Sequence, residues 1–183
     1  MPLTSTNLDA EALCQTFKDI PFLQNLCESD CESIAALMTP HELAPGEILF
    51  YEDDPSDSVY FLRSGAIEVF KASGTGRKLP LLVLRESGII GEIGLLLNEP
   101  RTATARALSP VVVCRLASAD FANAIDKGNR GALDLSLALA KVLASRLRAT
   151  DAKLFELFES DVSEQLLQQL SQTRAKLLSR MAE

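Results

Sequence analysis

The sequence predicts an α+β fold in which short strands form the middle of the chain and helices lie at both ends. Two patterns carry this reading. Residues 42–117 hold five segments rich in β-branched, leucine and aromatic residues, separated by turn-forming residues. Residues 8–39, and the chain from Ala117 onward, instead space their apolar residues at helical intervals. With 183 residues the chain is long enough for one domain with a real core, or one domain with an extension. Many short strands with regular turns suggest a barrel or sandwich.

Taken in order, the first segment (1–41) reads helical. Ser29-Asp30-Cys31-Glu32 is a capping box, followed by Ile34, Leu37 and Met38 on one face. The strand segments are Ile48 to Tyr51, Val59 to Arg63, Ala66 to Phe70, Leu79 to Leu84 and Val111 to Leu116. Pro45-Gly46, Asp53-Asp54-Pro55, Ser64-Gly65, Gly74-Thr75-Gly76 and Ser109-Pro110 separate them. They belong to a second segment, 42–130. A third, 131–159, is one long helix whose Leu133, Leu137, Ala140, Ala144, Leu147, Asp151, Leu154 and Phe158 fall at heptad a and d positions. At roughly 1.5 Å per residue it would run about 43 Å, so a partner helix is its natural cover. Asp151, beside Thr150, places a polar group in that seam. Leu139, Val142, Leu143 and Arg146 lie on the other face. The last segment, 160–183, reads as an amphipathic helix with Val162, Leu166, Leu170, Leu177 and Met181 on a stripe.

Composition narrows the function. Eighteen basic residues against 25 acidic give a net charge of −7, which argues against binding nucleic acid or anionic membranes through general electrostatics. The longest apolar run, Leu79–Leu84, is far short of the roughly 20 residues that span a bilayer. The N-terminus lacks the basic and apolar regions of a signal peptide. A cytoplasmic location is expected, with the four cysteines reduced. There is no metal-ligand cluster, nucleophile motif or P-loop, so the reading is not that of an enzyme.

The most informative stretch runs from Gly91 to Thr104. Glu92 can accept hydrogen bonds from hydroxyls, and Arg101 can make a two-pronged contact to a phosphate. Between them, Gly94-Leu95-Leu96 can open a short helix whose N–H groups face an anion. The acid and the arginine could hold opposite ends of a small anionic ligand, or simply pair with each other.

Pro45-Gly46-Glu47, Glu52-Asp53-Asp54, Tyr60-Phe61-Leu62, Ser64-Gly65-Ala66-Ile67-Glu68-Val69, Gly91-Glu92-Ile93-Gly94-Leu95-Leu96 and Pro100-Arg101-Thr102-Ala103-Thr104 occur in the order found in the cyclic nucleotide-binding domain. The chain resembles that family, and within it the catabolite activator (Crp/Fnr-like) proteins, from about residue 15 to about residue 158. The resemblance implies a jelly-roll-like β-roll of antiparallel strands, flanked by N-terminal helices and a long C-terminal helix that dimerises through 133–158. It also implies a phosphate-binding cassette. Glu92, preceded by Gly91, then meets the ribose 2′-hydroxyl, and Arg101 meets the cyclic phosphate. Backbone groups of Gly94 and Thr102 reach the same phosphate, and Ile93 and Ala103 complete the cassette. Ile67, Leu81 and Leu84 fall at apolar pocket positions. Arg146, Thr150 and Asp151 fall where the dimer helix meets the base.

Two departures from the family pattern bear on the ligand. Ser87-Gly88 stands where the family has Gly-Asp, before the Gly-Glu pair. In eukaryotic kinases of the family, a threonine at the place of Thr102 accompanies cyclic GMP preference. Cyclic AMP is favoured here, with cyclic GMP as the alternative. Family members that read DNA carry a helix-turn-helix after the dimer helix, whereas 160–183 shows balanced charge and no basic footprint. The expected output is therefore a contact with a protein effector rather than with DNA or a membrane. Cys14, Cys27, Cys31 and Cys114 supply the four thiols of an iron–sulfur cluster, and a redox sensor or thiol switch is the competing reading. The one histidine, His41, reads as a loop residue ahead of a turn.

Overall fold

The computed structural model describes residues 10–20, 22–24, 26–72, 74, 77–85, 87–159 and 168–174. The chain divides into two compact units, one ending at Val142 and one beginning at Leu143. In the first, helices α1 (Ala10–Asp19) and α2 (Glu28–Ala35) precede strands β1 (Met38–Leu43), β2 (Ile48–Phe50), β3 (Ser58–Ser64), β4 (Ala66–Ala72), β5 (Lys78–Arg85) and β6 (Gly88–Ile90). A short helix α3 (Glu92–Leu97), strands β7 (Thr104–Ala107) and β8 (Val111–Ala117), and helices α4 (Ser118–Asp126) and α5 (Arg130–Glu159) follow.

The strands form two four-stranded antiparallel sheets, ordered β1-β8-β3-β6 and β2-β7-β4-β5. The chain passes back and forth between them, so sequence neighbours such as β7 and β8 lie in different sheets. This is the jelly-roll-like α+β fold that the sequence predicts.

Side-chain alternation explains which sheet bears the helices. On β3, Val59 and Phe61 face the helical layer, while Tyr60 and Leu62 face the interior of the roll. On β8, Cys114 and Leu116 point one way and Val111 and Val113 the other. The two central strands of the first sheet, β3 and β8, are therefore covered on both faces and read as nearly continuous apolar runs. Phe17 of α1 meets Phe61 edge-on at 5.2 Å, joining the N-terminal helices to that sheet. From α5, Ala132, Leu135, Ala138 and Leu139 enter the same cluster.

Several sequence expectations need correction. The first segment is not wholly helical, because β1 begins at Met38 and pairs with β8. His41 sits in that strand opposite Val113, not in a loop. Helix α2 begins at Glu28, one residue before the proposed capping serine Ser29. Cys27 is its N-cap, and no side chain caps the helix. Between Ala117 and Glu159 the chain forms two helices, α4 and α5. Gly128 takes φ +71°, and the N–H groups of Gly128 and Asn129 bond back to the carbonyls of Ile125 and Ala124. That is a Schellman stop. Asn129 then starts α5 by accepting the Ala132 N–H on Oδ1 at 2.9 Å. The longest apolar run, Leu79–Leu84, is a largely exposed edge strand.

The first five heptad positions of α5 are exposed. Leu137 is 56% exposed and Leu147 62%, with Leu133, Ala140 and Ala144 also exposed. In the second unit α5 continues to Glu159, and residues 168–174 are helical. Most of the expected 160–183 stripe lies outside the described residues. No helix among the described residues is long and apolar enough to cross a membrane.

Candidate ligand-binding site

The site is built from the turn into α3, the loop before β7 and the start of β3. Gly91 caps α3 with φ +84°, a left-handed conformation that costs little only in glycine. A Cβ there would collide with the guanidinium of Arg101. Gly94, one turn on, lies so close to Ser56 Oγ that it too admits no side chain. Glu92 opens α3 and is 98% buried, an acid in the first helical turn where the helix dipole favours it.

Arg101 is held from both ends. Its backbone N–H donates to Asp54 O and its carbonyl accepts from Asp53 N–H, each at 2.9 Å. The neighbouring strand is tied to the same loop, because Thr104 Oγ1 accepts the Glu52 N–H at 3.0 Å. The loop itself is closed by Asp54 Oδ2, which accepts from Tyr51 N–H at 2.8 Å. These bonds deliver the side chain inward, where only 3% of it is exposed. The guanidinium carbon lies 4.2 Å from the Phe50 ring centre and 5.6 Å from that of Tyr60.

The polar contacts of this buried cation are long. Nη1 donates to Gly91 O at 3.2 Å, Nη2 donates to Ser58 Oγ at 3.3 Å, and Asp57 Oδ1 stands 3.9 Å from Nη2. Nε is buried without a hydrogen-bond partner, as is Ser56 Oγ. Burial pulls the Arg101 pKa down, but a guanidinium remains charged at neutral pH. A nearly desolvated positive charge with an unused donor is suited to a compact anion.

The other predicted residues fall in three places. Ile93 and Gly94 lie on α3, Thr102 is exposed, and Ala103 is buried beside Arg101 in sequence. Ile67 and Leu84 are cross-strand partners. Ile67 is fully buried in the roll interior, with Leu84 packed against that cluster. Leu81 is the extra residue of a β-bulge between the Val69↔Leu82 and Phe70↔Pro80 pairs, and it is 49% exposed. Arg146, Thr150 and Asp151 belong to the second unit. There Thr150 Oγ1 donates to Arg146 O at 2.9 Å, and Asp151 lies 3.8 Å from Arg174. Ser56, Asp57, Ser58 and Arg115 were absent from the sequence reading. The serines and acid precede an apolar strand and look like turn residues, so no local signal distinguishes them.

The structure does not gather the four thiols. Cys14 and Cys31 are hydrogen-bonded to each other between α1 and α2, Cys114 is buried in β8, and Cys27 is exposed and donates to Asp30 Oδ2. Among the described residues no three potential ligands are grouped to hold a metal ion. Burial pushes the thiol of Cys31 up to about 12 and that of Cys114 up to about 11, away from metal-binding thiolates. The iron–sulfur reading is therefore not supported.

The model of the cyclic nucleotide-binding domain matches residues 40–127, which contain strands β2 to β8 and the Gly91–Thr104 stretch. The N-terminal domain of a transcriptional regulator from Streptomyces coelicolor is 31% identical, with 76% of this chain and 94% of that one covered at a TM-score of 0.61. The chain belongs to the cyclic nucleotide-binding domain family. Within the family it is Crp/Fnr-like. It is 31% identical to the CRP-like cAMP-activated global transcriptional regulator of Mycobacterium tuberculosis over 76% of this chain and 62% of that protein. The catabolite activator protein of Thermus thermophilus is 25% identical, with 75% of this chain and 62% of that one covered at a TM-score of 0.66. This cyclic nucleotide-binding domain thus spans less than two thirds of the length of the Mycobacterium regulator.

Proposed function

We propose that this domain is a cytoplasmic receptor for cyclic AMP that works as a homodimer. Arg101 takes the cyclic phosphate, with the backbone of Gly94, Thr102 and Ala103 beside it, and Glu92 takes the ribose 2′-hydroxyl. The carrying observation is the buried Arg101 cation, whose Nε lacks a partner and whose remaining contacts are long. A cyclic phosphodiester has one negative charge and two free oxygens, which match one guanidinium edge. The name of the Mycobacterium relative supports cyclic AMP over cyclic GMP. The four free cysteines support a reducing compartment.

A second copy is the occupant best suited to the exposed heptad face of α5, because a repeated a/d seam is complementary to itself. In that dimer Arg146, Thr150 and Asp151 approach the base, and nucleotide binding shifts α5 between two arrangements. The output is a contact with a protein effector, in keeping with the chain's net charge of −7.

Calorimetric titration of cyclic AMP and cyclic GMP into the wild type and Arg101→Leu tests this reading. Hydrogen bonds to charged groups net about 1.5 to 3 kcal/mol each, so loss of two should weaken cyclic AMP binding by about a hundredfold or more. Equal affinity of both proteins refutes the phosphate assignment. Thr102→Ala and a paired Thr150→Ala, Asp151→Ala variant then report on base choice. Sedimentation of Leu137→Asp and Leu147→Asp tests the seam, and an unchanged oligomeric state would exclude it.

A further inference from the structure

Arg115 stands behind the phosphate arginine, on β8 directly across from Tyr60, whose ring lies beside the Arg101 guanidinium. Its Nη2 donates to Asp57 Oδ2 at 3.0 Å. The other Asp57 oxygen, Oδ1, accepts from Ser58 Oγ at 2.7 Å and is 3.9 Å from Arg101 Nη2. A hydroxyl has one proton to give. With that proton on Asp57, the lone pairs of the buried Ser58 oxygen are left to accept from Arg101 Nη2 at 3.3 Å.

One carboxylate is thus placed between two guanidinium groups. It bonds directly to the outer one, while the inner one is met through the Ser58 hydroxyl and across a long 3.9 Å ion-pair distance. Asp57 keeps its charge at neutral pH, because the Ser58 hydrogen bond, and then Arg115, hold its carboxyl below the usual range. If it were free to turn inward, that carboxylate would compete with an incoming anion for the same Arg101 edge and would repel it.

We propose that Arg115 is an affinity-determining residue for the cyclic phosphate, acting by holding Asp57 away from Arg101. It touches no part of the nucleotide and works only through the Asp57 carboxylate. The inference rests on Arg101 being the phosphate contact.

The test is a double-mutant cycle read by cyclic AMP titration at low ionic strength, where charges are least screened. Because the Asp57 side chain is 69% exposed, the effects are modest. Arg115→Gln is expected to weaken binding by about threefold to tenfold. Asp57→Asn, which can still accept from Ser58, should bind at least as tightly as the wild type. The double variant should return to within about twofold of the wild type, since with no carboxylate to restrain, Arg115 has nothing to do.

Wild-type affinity in Arg115→Gln overturns the proposal. So does a double variant as weak as Arg115→Gln, which would mark Arg115 as a structural support. If Arg115→Gln does not fold, Asp57→Asn decides alone, because weaker binding there contradicts a competing carboxylate. Arg101→Leu is titrated alongside. If it binds like the wild type, the phosphate assignment itself fails; if it loses binding while the cycle is flat, only the role of Arg115 fails.

Discussion

Arg101 Nη1 donates to the carbonyl oxygen of Gly91 at 3.2 Å, and a Cβ on Gly91 would collide with that same nitrogen. The glycine is thus required twice, by its backbone angle and by the arginine beside it. Gly91→Ala should cost about 1 kcal/mol for the left-handed conformation and must also displace the guanidinium. The expected result is a fall in melting temperature of about 2–4 °C together with at least about a tenfold loss of cyclic AMP affinity. Calorimetry on the variant checks both, and nucleotide binding at wild-type strength would contradict the assigned site.

Arg101→Leu should separate binding from stability. Removing a buried cation with long contacts, and placing an apolar side chain near Phe50 and Tyr60, should leave the nucleotide-free protein as stable as the wild type. A gain of about 1 to 3 kcal/mol is also consistent, as seen when buried charges are replaced by apolar groups. Urea unfolding without nucleotide measures this. A large destabilisation would mean that Arg101 serves the scaffold.

Phe61 is fully buried and faces Phe17, so it carries the junction between the helices and the first sheet. Phe61→Ala should destabilise by about 3–5 kcal/mol, the range for truncating a buried aromatic side chain. The same denaturant titration reads it, and a loss below about 1 kcal/mol would mean that the junction relaxes around the cavity.

The buried thiols predict alkaline sensitivity. Burial holds the Cys31 and Cys114 thiols at about 12 and about 11, above the ordinary thiol value of 9.0, so the folded protein keeps protons that the unfolded chain releases. Their contribution to stability is complete below about pH 9 and is lost as pH rises toward 11–12. Unfolding free energy measured from pH 8 to pH 11 should fall, and a flat profile would refute it. At pH 8 a thiol-reactive dye should label exposed Cys27 first, with the other three cysteines following only on denaturation.

Much of the cassette was legible because its requirements are local. Gly91 and Gly94 mark a turn and a close approach, and Glu92 and Arg101 are nearby in sequence. Strands β3, β4, β5 and β8 were readable from their apolar content. Strand β1 was not, because only its end residues Met38 and Leu43 are buried and the four between them are exposed. Strand β7, Thr-Ala-Arg-Ala, carries small residues that show little β-character in sequence. Its partners β2 and β4 are distant in the chain, and that pairing is what makes it a strand.

By itself the sequence determined the family, the cassette and the apolar seam of α5, since backbone angle and helical period are properties of neighbouring residues. Only the tertiary structure decided that Arg101 is buried with a free Nε. Only the fold could place Asp57 and Arg115, 58 positions apart, against each other and behind that arginine. The strength of a charge depends on what surrounds it in space, and sheet pairing between distant strands sets those surroundings.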